Sequence, residues 1–194
     1  MLNGVRVTLL CMLACMLNAT VRSASLVVVP LGVEYNLTLA QRGTFLAGFS
    51  MGYVPTILPS GVIAHRFGGA PQISVCLLLN ALVWAITPLV LPSAGTPGNA
   101  AAPLTVLVWS QVLTGAASGL LNPALHSLIS VWISPAHRSG AHNLIYSGQA
   151  GGQMLSLGIG GYVLQNWGWR SLFFGQAACI GTFGLVWLCV MRSK

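Results

Sequence analysis

Residues 104–131 read LTVLVWSQVLTGAASGLLNPALHSLISV, a stretch without a single Asp, Glu, Lys or Arg. At a rise of 1.5 Å per residue, such a stretch forms a helix long enough to cross the roughly 30 Å hydrocarbon layer of a bilayer. Similar apolar stretches lie on either side of it, at residues 5–31, 43–64, 72–91, 141–164 and 171–191. The pattern predicts an all-α integral membrane protein in which residues 1–194 form a single domain of six transmembrane helices.

The composition of the whole chain agrees with this prediction. Hydrophobic residues make up 55% of the 194 and charged residues only 5%, whereas about 25% of the residues of a soluble domain are charged. Because so few polar side chains are available to cover the surface in water, we expect the lipid bilayer to surround most of the protein.

The charge balance and the cysteines exclude several function classes. The net charge of +7 arises from eight basic residues against one acid, Glu34, and the basic residues are too scattered to follow a nucleic-acid backbone. The five cysteines lack the spacing of a metal site or a disulfide framework. One carboxylate cannot provide an acid–base pair. We therefore expect no nucleic-acid partner, no metal, no cofactor and no enzymatic activity.

The basic residues predict the orientation of the helices. If six spans alternate sides, five cations lie on one side and two on the other: Arg6, Arg66, Arg138, Arg192 and Lys194 against Arg42 and Arg170. The positive-inside bias then predicts that both termini are cytoplasmic. Plasma and organellar membranes are both compatible with this pattern.

The N-terminal stretch has a second interpretation. Arg6, the apolar run 7–17 and the small residues 23–25 also fit a cleavable signal peptide. The apolar run resumes at residues 26–33, however, which favours one helix over 5–31 that is interrupted by Asn18, Thr20 and Arg22.

Arg22 is the residue that points most directly to function. A charge near the middle of a spanning helix costs about 2.5 to 3.5 kcal/mol. Glu34 lies twelve residues further on, about 18 Å along a helix, so it cannot be an intrahelical partner. Arg22 either faces a water-filled cavity and binds an anion, which suits the guanidinium group, or it binds backbone carbonyls or extends toward the membrane surface.

Other polar and small residues recur within the apolar stretches. Gln111 and His126 can line a polar path or join helices through hydrogen bonds. Glycine pairs four residues apart permit close approach between helices; they are Gly48 and Gly52, Gly115 and Gly119, and Gly148 and Gly152.

Several motifs together resemble the major facilitator superfamily, and within it the anion–cation symporter branch of organellar phosphate and vesicular glutamate transporters. The residues that carry this resemblance run in order through nearly the whole chain: Gly48-Phe49-Ser50-Met51-Gly52-Tyr53, Ala64-His65-Arg66-Phe67-Gly68-Gly69, Asn122-Pro123-Ala124-Leu125-His126, Arg138-Ser139 and Gly168-Trp169-Arg170. The resemblance implies the N-terminal half of a major facilitator fold, with Arg22 at the position of an anion-binding arginine.

The resemblance also implies functional residues. The expected substrate-binding residues are Arg22, Tyr53, Gln111 and His126, and the expected gating loop comprises Gly61, His65, Arg66, Gly68, Gly69 and Arg138. The expected partners are a small anion, H+ or Na+ as candidate coupling ions, and a second transporter half, either another copy of the chain or a C-terminal portion.

Some positions depart from the family pattern. His65 replaces an acidic residue, Ala70 a basic one, and Gln111 and Ser118 occupy the positions of an arginine and a glutamate; Val131 and His137 replace a lysine and a glutamate. Coupling charges are therefore largely missing. Two functions fit: an anion transporter working by alternating access, or a non-transporting half that binds or regulates a full-length relative.

Overall fold

Every element that the structure describes is helical. The computed structural model describes residues 4–91 and 101–192, except for the side chains of residues 23–25, 101, 102 and 192. Seven α-helices follow one another: α1 (Gly4–Thr20), α2 (Ala24–Glu34), α3 (Leu39–Phe67), α4 (Gly69–Val90), α5 (Ala101–Gly119), α6 (Leu121–Trp132) and α7 (Arg138–Arg192). Two 3₁₀ turns, Val21–Ser23 and Pro135–His137, lie between α1 and α2 and before α7.

The number of helices that can cross a membrane differs from the sequence-based prediction. Four helical segments of the described residues are long and apolar enough: Leu39–Phe67, Gly69–Val90, Pro103–Trp132 and Pro135–Met191. The first predicted span is divided into α1 and α2, each too short by itself, and the two last predicted spans join in α7. The described residues therefore do not contain the six separate membrane-crossing helices that the sequence predicted.

α7 is a hairpin of two helical arms. Gly168 has φ 76° and ψ 173°, which interrupts the helix. The side chains of Ser156 and Gln176 lie 3.4 Å apart, whereas a straight helix would separate residues twenty positions apart by about 30 Å. The chain therefore reverses at Gly168, where glycine tolerates the positive φ.

The glycine pairs hold neighbouring helices at close range, as their spacing predicts. A Cβ on Gly52 would collide with the main-chain oxygen of Val112, and one on Gly152 with that of Met16. Gly52 thus brings α3 against α5, and Gly152 brings the first arm of α7 against α1. Gly115 makes the reciprocal contact with Phe49.

The two ends of the bundle can be distinguished by their contacts. Gly4 lies against Trp132, and the indole nitrogen of Trp187 donates to the main-chain oxygen of Ala70. We call the end of the bundle that contains these two contacts the Gly4 end. The turn at Tyr35 and the kink at Gly168 lie at the opposite end, which we call the Tyr35 end. The polar stretch between the predicted helices 72–91 and 104–131 lies mostly outside the described residues.

Candidate functional site

Arg22 lies where the first span is broken. It occupies the middle of the 3₁₀ turn Val21–Ser23 between α1 and α2, and its side chain is exposed on the bundle surface. The guanidinium carbon lies 5.4 Å from the ring centroid of Phe49 on α3, a cation–π contact. Within the described residues Arg22 has no ion-pair partner, and the one acid of the chain, Glu34, accepts a hydrogen bond from Trp169.

Two side chains from α7 stabilise the break beside Arg22. Ending α1 at Thr20 frees main-chain carbonyls, which must find donors inside a membrane. The hydroxyl of Ser156 donates to the Thr20 oxygen at 3.2 Å, and the amide nitrogen of Gln176 donates to the same oxygen at 3.3 Å. The interruption is therefore supported by both arms of the α7 hairpin.

Aromatic and polar side chains continue from Arg22 toward the Gly4 end. The Phe49 and Tyr53 rings stack with centroids 5.8 Å apart. The amide nitrogen of Asn122 on α6 donates to the Tyr53 hydroxyl at 2.9 Å. Because Asn122 and His126 are four residues apart on α6, they lie on one helix face.

His126 joins this row to α7. Its ring centroid lies 4.6 Å from that of His142, and its Nε2 lies 3.3 Å from the Tyr146 hydroxyl. The His142 and Tyr146 rings are 6.3 Å apart, centroid to centroid. We call the whole set the polar strip: Arg22, Phe49, Tyr53, Asn122, His126, His142 and Tyr146.

The polar strip is unlike the surfaces of the bundle that suit lipid. Its side chains are exposed or partly exposed, and an arginine and imidazoles in contact with hydrocarbon are costly. By contrast, the exposed large side chains of α4 are all aliphatic: Val75, Leu79, Leu82, Ile86, Leu89 and Val90. The strip therefore requires water or another protein surface in front of it.

Three of the four predicted substrate-binding residues, Arg22, Tyr53 and His126, lie in the polar strip. Gln111 does not, since it is only 4% exposed and lies against Gly48 at the contact between α3 and α5. The sequence-based prediction overlooked Phe49, Asn122, His142 and Tyr146 as site residues. The spacing of four residues within Asn122/His126 and within His142/Tyr146 is the signal that could have identified them.

A buried network of neutral side chains includes Ser118, the position at which the resemblance implies a glutamate. The Asn18 side-chain oxygen accepts hydrogen bonds from the amide nitrogen of Asn80 at 3.0 Å and from the hydroxyl of Ser118 at 3.2 Å. All three residues are buried. Ser118 therefore joins α5 to α1 and α4 and does not face the strip.

The predicted gating residues have separate local roles. Gly61, His65 and Arg66 are exposed positions of α3, so Gly61 lies in a helix and not in a loop. Gly68 forms the turn, with φ 86°, and Gly69 packs so closely on Ala124 that a Cβ would collide with its main-chain oxygen.

Arg138 closes the α6–α7 connection. It donates from Nε to the oxygen of Ile133 at 3.1 Å and from a terminal nitrogen to that of Ser130 at 2.8 Å. These are carbonyls at the end of α6, where a cation is favourable.

A second polar cluster, which the sequence did not reveal, lies at the Tyr35 end. The Trp169 indole nitrogen donates to the Glu34 carboxylate, and the Arg170 guanidinium packs on the Trp169 ring at 5.0 Å. Burial and the neighbouring Glu34 carboxylate raise the pKa of Tyr35, against an opposing effect of Arg170. The cluster joins α2 to the hairpin turn of α7.

Two clefts lie elsewhere on the bundle. One of about 730 Å³ is lined by residues such as Gly4, Trp132 and His137 at the Gly4 end. Another of about 470 Å³ lies between α1 and the α7 arms, beside Met16 and Trp167. Neither cleft contains a residue of the polar strip, which is an open surface and can enclose a ligand only against a second surface.

Comparison with known proteins identifies the family of this chain. Residues 11–194 match the family model described as Major Facilitator Superfamily. The chain is 28% identical over 97% of its length to "Probable anion transporter 4, chloroplastic" of Oryza sativa subsp. japonica, covering 30% of that protein. It is 27% identical over 97% to "Sodium-dependent phosphate transport protein 1, chloroplastic" of Arabidopsis thaliana, covering 34%, and 30% identical over 80% to human "Sialin", covering 29%.

The chain thus spans about a third of the length of these curated relatives. They are transporters and not enzymes, which confirms the exclusion of an enzyme, and the helices indicate a multi-pass membrane protein. The chain belongs to the major facilitator superfamily, among relatives that are anion transporters of the anion–cation symporter branch.

Proposed function

We propose that this chain forms one half of an anion carrier and that the polar strip is its side of the substrate path. One observation carries the proposal: Arg22 projects from a helix break in a membrane-embedded bundle, exposed and without a carboxylate partner among the described residues. An unpaired guanidinium there costs free energy, which a bound anion would offset.

The proposed half-carrier crosses the membrane six times. α1 and α2 together form one crossing through the 3₁₀ turn, α5 with α6 forms another, and the two arms of α7 form two, in addition to α3 and α4. The contact between Gly4 and Trp132 and that between Trp187 and Ala70 support this arrangement, since it brings the start of α1 and the end of α7 to one side, which we propose to be cytoplasmic.

A second half is needed opposite the strip. Carriers of this superfamily bind substrate near the midplane between two repeats and expose it to either side by rocking one half against the other. The second half is either another copy of this chain or a further polypeptide segment. Either candidate for the second half would cover the imidazoles and Arg22 with protein. Contact of these groups with lipid would cost free energy.

The proposed substrate is a small organic or inorganic anion. The guanidinium fork of Arg22 matches carboxylate or phosphate oxygens in bidentate fashion. Names of the relatives include an anion and a phosphate transporter, consistent with this class. The Phe49 and Tyr53 rings beside Arg22 supply an apolar wall with a hydroxyl group.

A non-transporting half that binds a full-length relative is the second candidate. It is favoured by the neutral network of Asn18, Asn80 and Ser118, because the resemblance implies a glutamate at the Ser118 position. Such a protein would keep the strip as a docking surface and carry no flux.

Counterflow in proteoliposomes tests the proposal. Vesicles with the full chain, preloaded with unlabelled phosphate or glutamate, should accumulate the labelled anion. Arg22→Gln should reduce the rate by roughly 10- to 100-fold, the loss expected for a charged hydrogen bond of about 1.5 to 3 kcal/mol. Arg6→Gln, which removes an exposed cation at the Gly4 end, is the matched control.

The outcomes separate the two candidates. Equal counterflow by wild type and Arg22→Gln would remove Arg22 from the path. Absence of counterflow for both anions, together with co-purification of the chain with a co-expressed full-length relative, would support the docking function and contradict the carrier.

A further inference from the structure

The cleft beside Met16 and Trp167 opens sideways from the bundle. It has a volume of about 470 Å³, lies between α1 and the two arms of α7, and is lined mainly by hydrocarbon side chains; we call it the α1–α7 cleft. Six of its lining residues, all on α7, are exposed: Leu155, Ile159, Trp167, Ser171, Gly175 and Cys179. Because no residue of the polar strip lines the cleft, this face of the bundle can lie against lipid.

The polar donors that line the α1–α7 cleft are already hydrogen-bonded within the chain. The Thr20 hydroxyl donates at 2.7 Å to a carbonyl three residues earlier in α1, and the Ser171 hydroxyl donates at 2.8 Å to a carbonyl four residues earlier in α7. The Ser156 hydroxyl and the Gln176 amide nitrogen both donate to the Thr20 oxygen. These donors need no acceptor from an occupant, so the cleft suits a hydrocarbon group better than a lipid headgroup or an anion.

The length of the α1–α7 cleft matches one leaflet of a bilayer. Trp167 lies next to the reversal at Gly168, at the Tyr35 end, and tryptophan is typical of the membrane–water interface. Cys179, the lining residue furthest along the second arm, is eleven residues beyond Gly168, about 16 Å away; half of the roughly 30 Å hydrocarbon layer is about 15 Å. Spread over that length, about 470 Å³ leaves a width of roughly 6 Å, against about 10 to 12 Å for a helix. One extended acyl chain fits this space, and a helix of another protein does not.

The α1–α7 cleft also contains the hydrogen bonds that support the break in the first span. Ser156 and Gln176 line the cleft, and both donate to the oxygen of Thr20, which lies two residues before Arg22. Hydrogen bonds are stronger where water is excluded. A hydrocarbon chain that covers these bonds should therefore stabilise the 3₁₀ turn that carries Arg22.

We propose that the α1–α7 cleft binds one acyl chain of a phospholipid from the leaflet at the Tyr35 end, and that the bound chain stabilises the helix break beside Arg22. Bilayer lipid surrounds a multi-pass membrane protein, so its acyl chains contact the exposed rim of the cleft directly. The lipid site goes beyond the proposed carrier function, since none of its lining residues belongs to the polar strip.

Photolabelling tests where the acyl chain binds. The full chain is reconstituted with a phosphatidylcholine that carries a diazirine near the end of one acyl chain, and the labelled peptides are mapped by mass spectrometry after irradiation. We expect labelling of residues 16–20 and 171–179, which line the cleft, to exceed several-fold the labelling of Leu82 and Ile86 on the exposed aliphatic surface of α4. Equal labelling of the two surfaces would overturn the lipid site.

Substitutions that fill the α1–α7 cleft should remove this labelling. Cys179→Phe places a ring in the cleft, and Cys189→Phe, at an exposed cysteine on the same arm but outside the cleft, is the matched control. If Cys179→Phe does not fold, Gly175→Leu replaces it, with Gly158→Leu as its control, because a Cβ at either glycine has open space. Labelling that survives in the filled variants, or that a sterol displaces and excess phosphatidylcholine does not, would overturn the acyl chain as occupant.

Amide hydrogen exchange of residues 17–22 measures the effect on the helix break and requires no anion. The full chain is held in a steroid-based detergent, which has no acyl chain, with and without added phosphatidylcholine. We expect the phospholipid to slow exchange by roughly 2- to 10-fold, the change that corresponds to the net contribution of one hydrogen bond. This slowing should occur in the wild type and in Cys189→Phe but not in Cys179→Phe. Exchange that the phospholipid leaves unchanged in the wild type would overturn the stabilisation of the break.

Discussion

Thr20 and Ser156 are 136 residues apart in the chain, yet the Ser156 hydroxyl donates to the Thr20 main-chain oxygen at 3.2 Å. This bond gives a side-chain donor to a carbonyl in the last turn of α1, the part of a helix where intrahelical donors run out. It also places α7 beside the 3₁₀ turn that carries Arg22. The position of the guanidinium on the strip therefore depends on side chains far away in sequence.

Removing this bond should weaken anion binding as well as stability. Ser156→Ala leaves the Thr20 oxygen with the Gln176 donor, and we expect a loss of about 1 kcal/mol. Melting of the purified chain in detergent and binding of labelled phosphate or glutamate measure the two effects. Ser147→Ala, on the same arm but with a hydroxyl bonded to Leu144 of its own helix, is the control. Equal behaviour of the two variants would contradict a role for Ser156 at the break.

The contact between α3 and α5 should not tolerate one additional methyl group. Gly52→Ala forces the helices apart because the new Cβ collides with the main chain at Val112, and we expect a loss of about 1 to 3 kcal/mol. Gly43→Ala, on the same helix with open space around it, should be neutral or stabilising by up to about 1 kcal/mol. Thermal melting compares the two variants, and a Gly52→Ala variant as stable as Gly43→Ala would be the contrary result.

The bond between Trp169 and Glu34 should stabilise the Tyr35 end. Trp169→Phe keeps an aromatic ring next to Phe173 but removes the donor to the carboxylate. We expect a cost of about 1.5 to 3 kcal/mol for a charge-assisted bond. Trp167→Phe, an exposed tryptophan two residues earlier, should cost far less. Unfolding midpoints that are the same for both variants would show that the Glu34 carboxylate does not need the indole.

The buried network around Asn18 should be sensitive to loss of its acceptor. Asn18→Ala removes the oxygen that accepts from the Asn80 amide and from the Ser118 hydroxyl. The Asn80 amide keeps the Ser118 oxygen as an acceptor at 3.2 Å, so the Ser118 hydroxyl is the buried group that loses its acceptor, at a cost of about 1 to 3 kcal/mol. Asn166→Ala, at an exposed position bonded to Tyr162 of its own helix, is the reference. A melting temperature of Asn18→Ala within error of that reference would argue against the network.

Much of the fold follows from local sequence signals. Apolar length predicted the helices at 43–64 and 72–91, for which the structure has Leu39–Phe67 and Gly69–Val90. It also predicted one helix at 104–131, which the structure divides at Leu120 into α5 and α6. The spacing of Gly52 and Gly152 predicted close helix contacts, which the structure confirms. Sequence could not tell which helices meet there, because pairing depends on the packing of the whole bundle.

The candidate site was only partly predictable. Arg22 is evident in sequence because a charge within an apolar run is costly. His126 and His142 lie on different helices, α6 and α7. Local sequence patterns do not predict that their rings come into contact. The gap between the predicted spans 141–164 and 171–191 contains Gly168, where α7 reverses. Ser156 and Gln176 contact Thr20 only through that reversal, and the sequence did not predict these contacts.

Direct anion binding to Arg22 variants is the most direct measurement of the central claim. Equilibrium binding of labelled phosphate and glutamate is compared for wild type, Arg22→Lys and Arg22→Gln in the full chain. We expect Lys, which keeps the charge but loses the bidentate fork, to bind more weakly than wild type, and Gln to lose binding by roughly 10- to 100-fold. Undiminished affinity of Arg22→Gln for the anion that the wild type binds would contradict the assignment of Arg22 as the anion site.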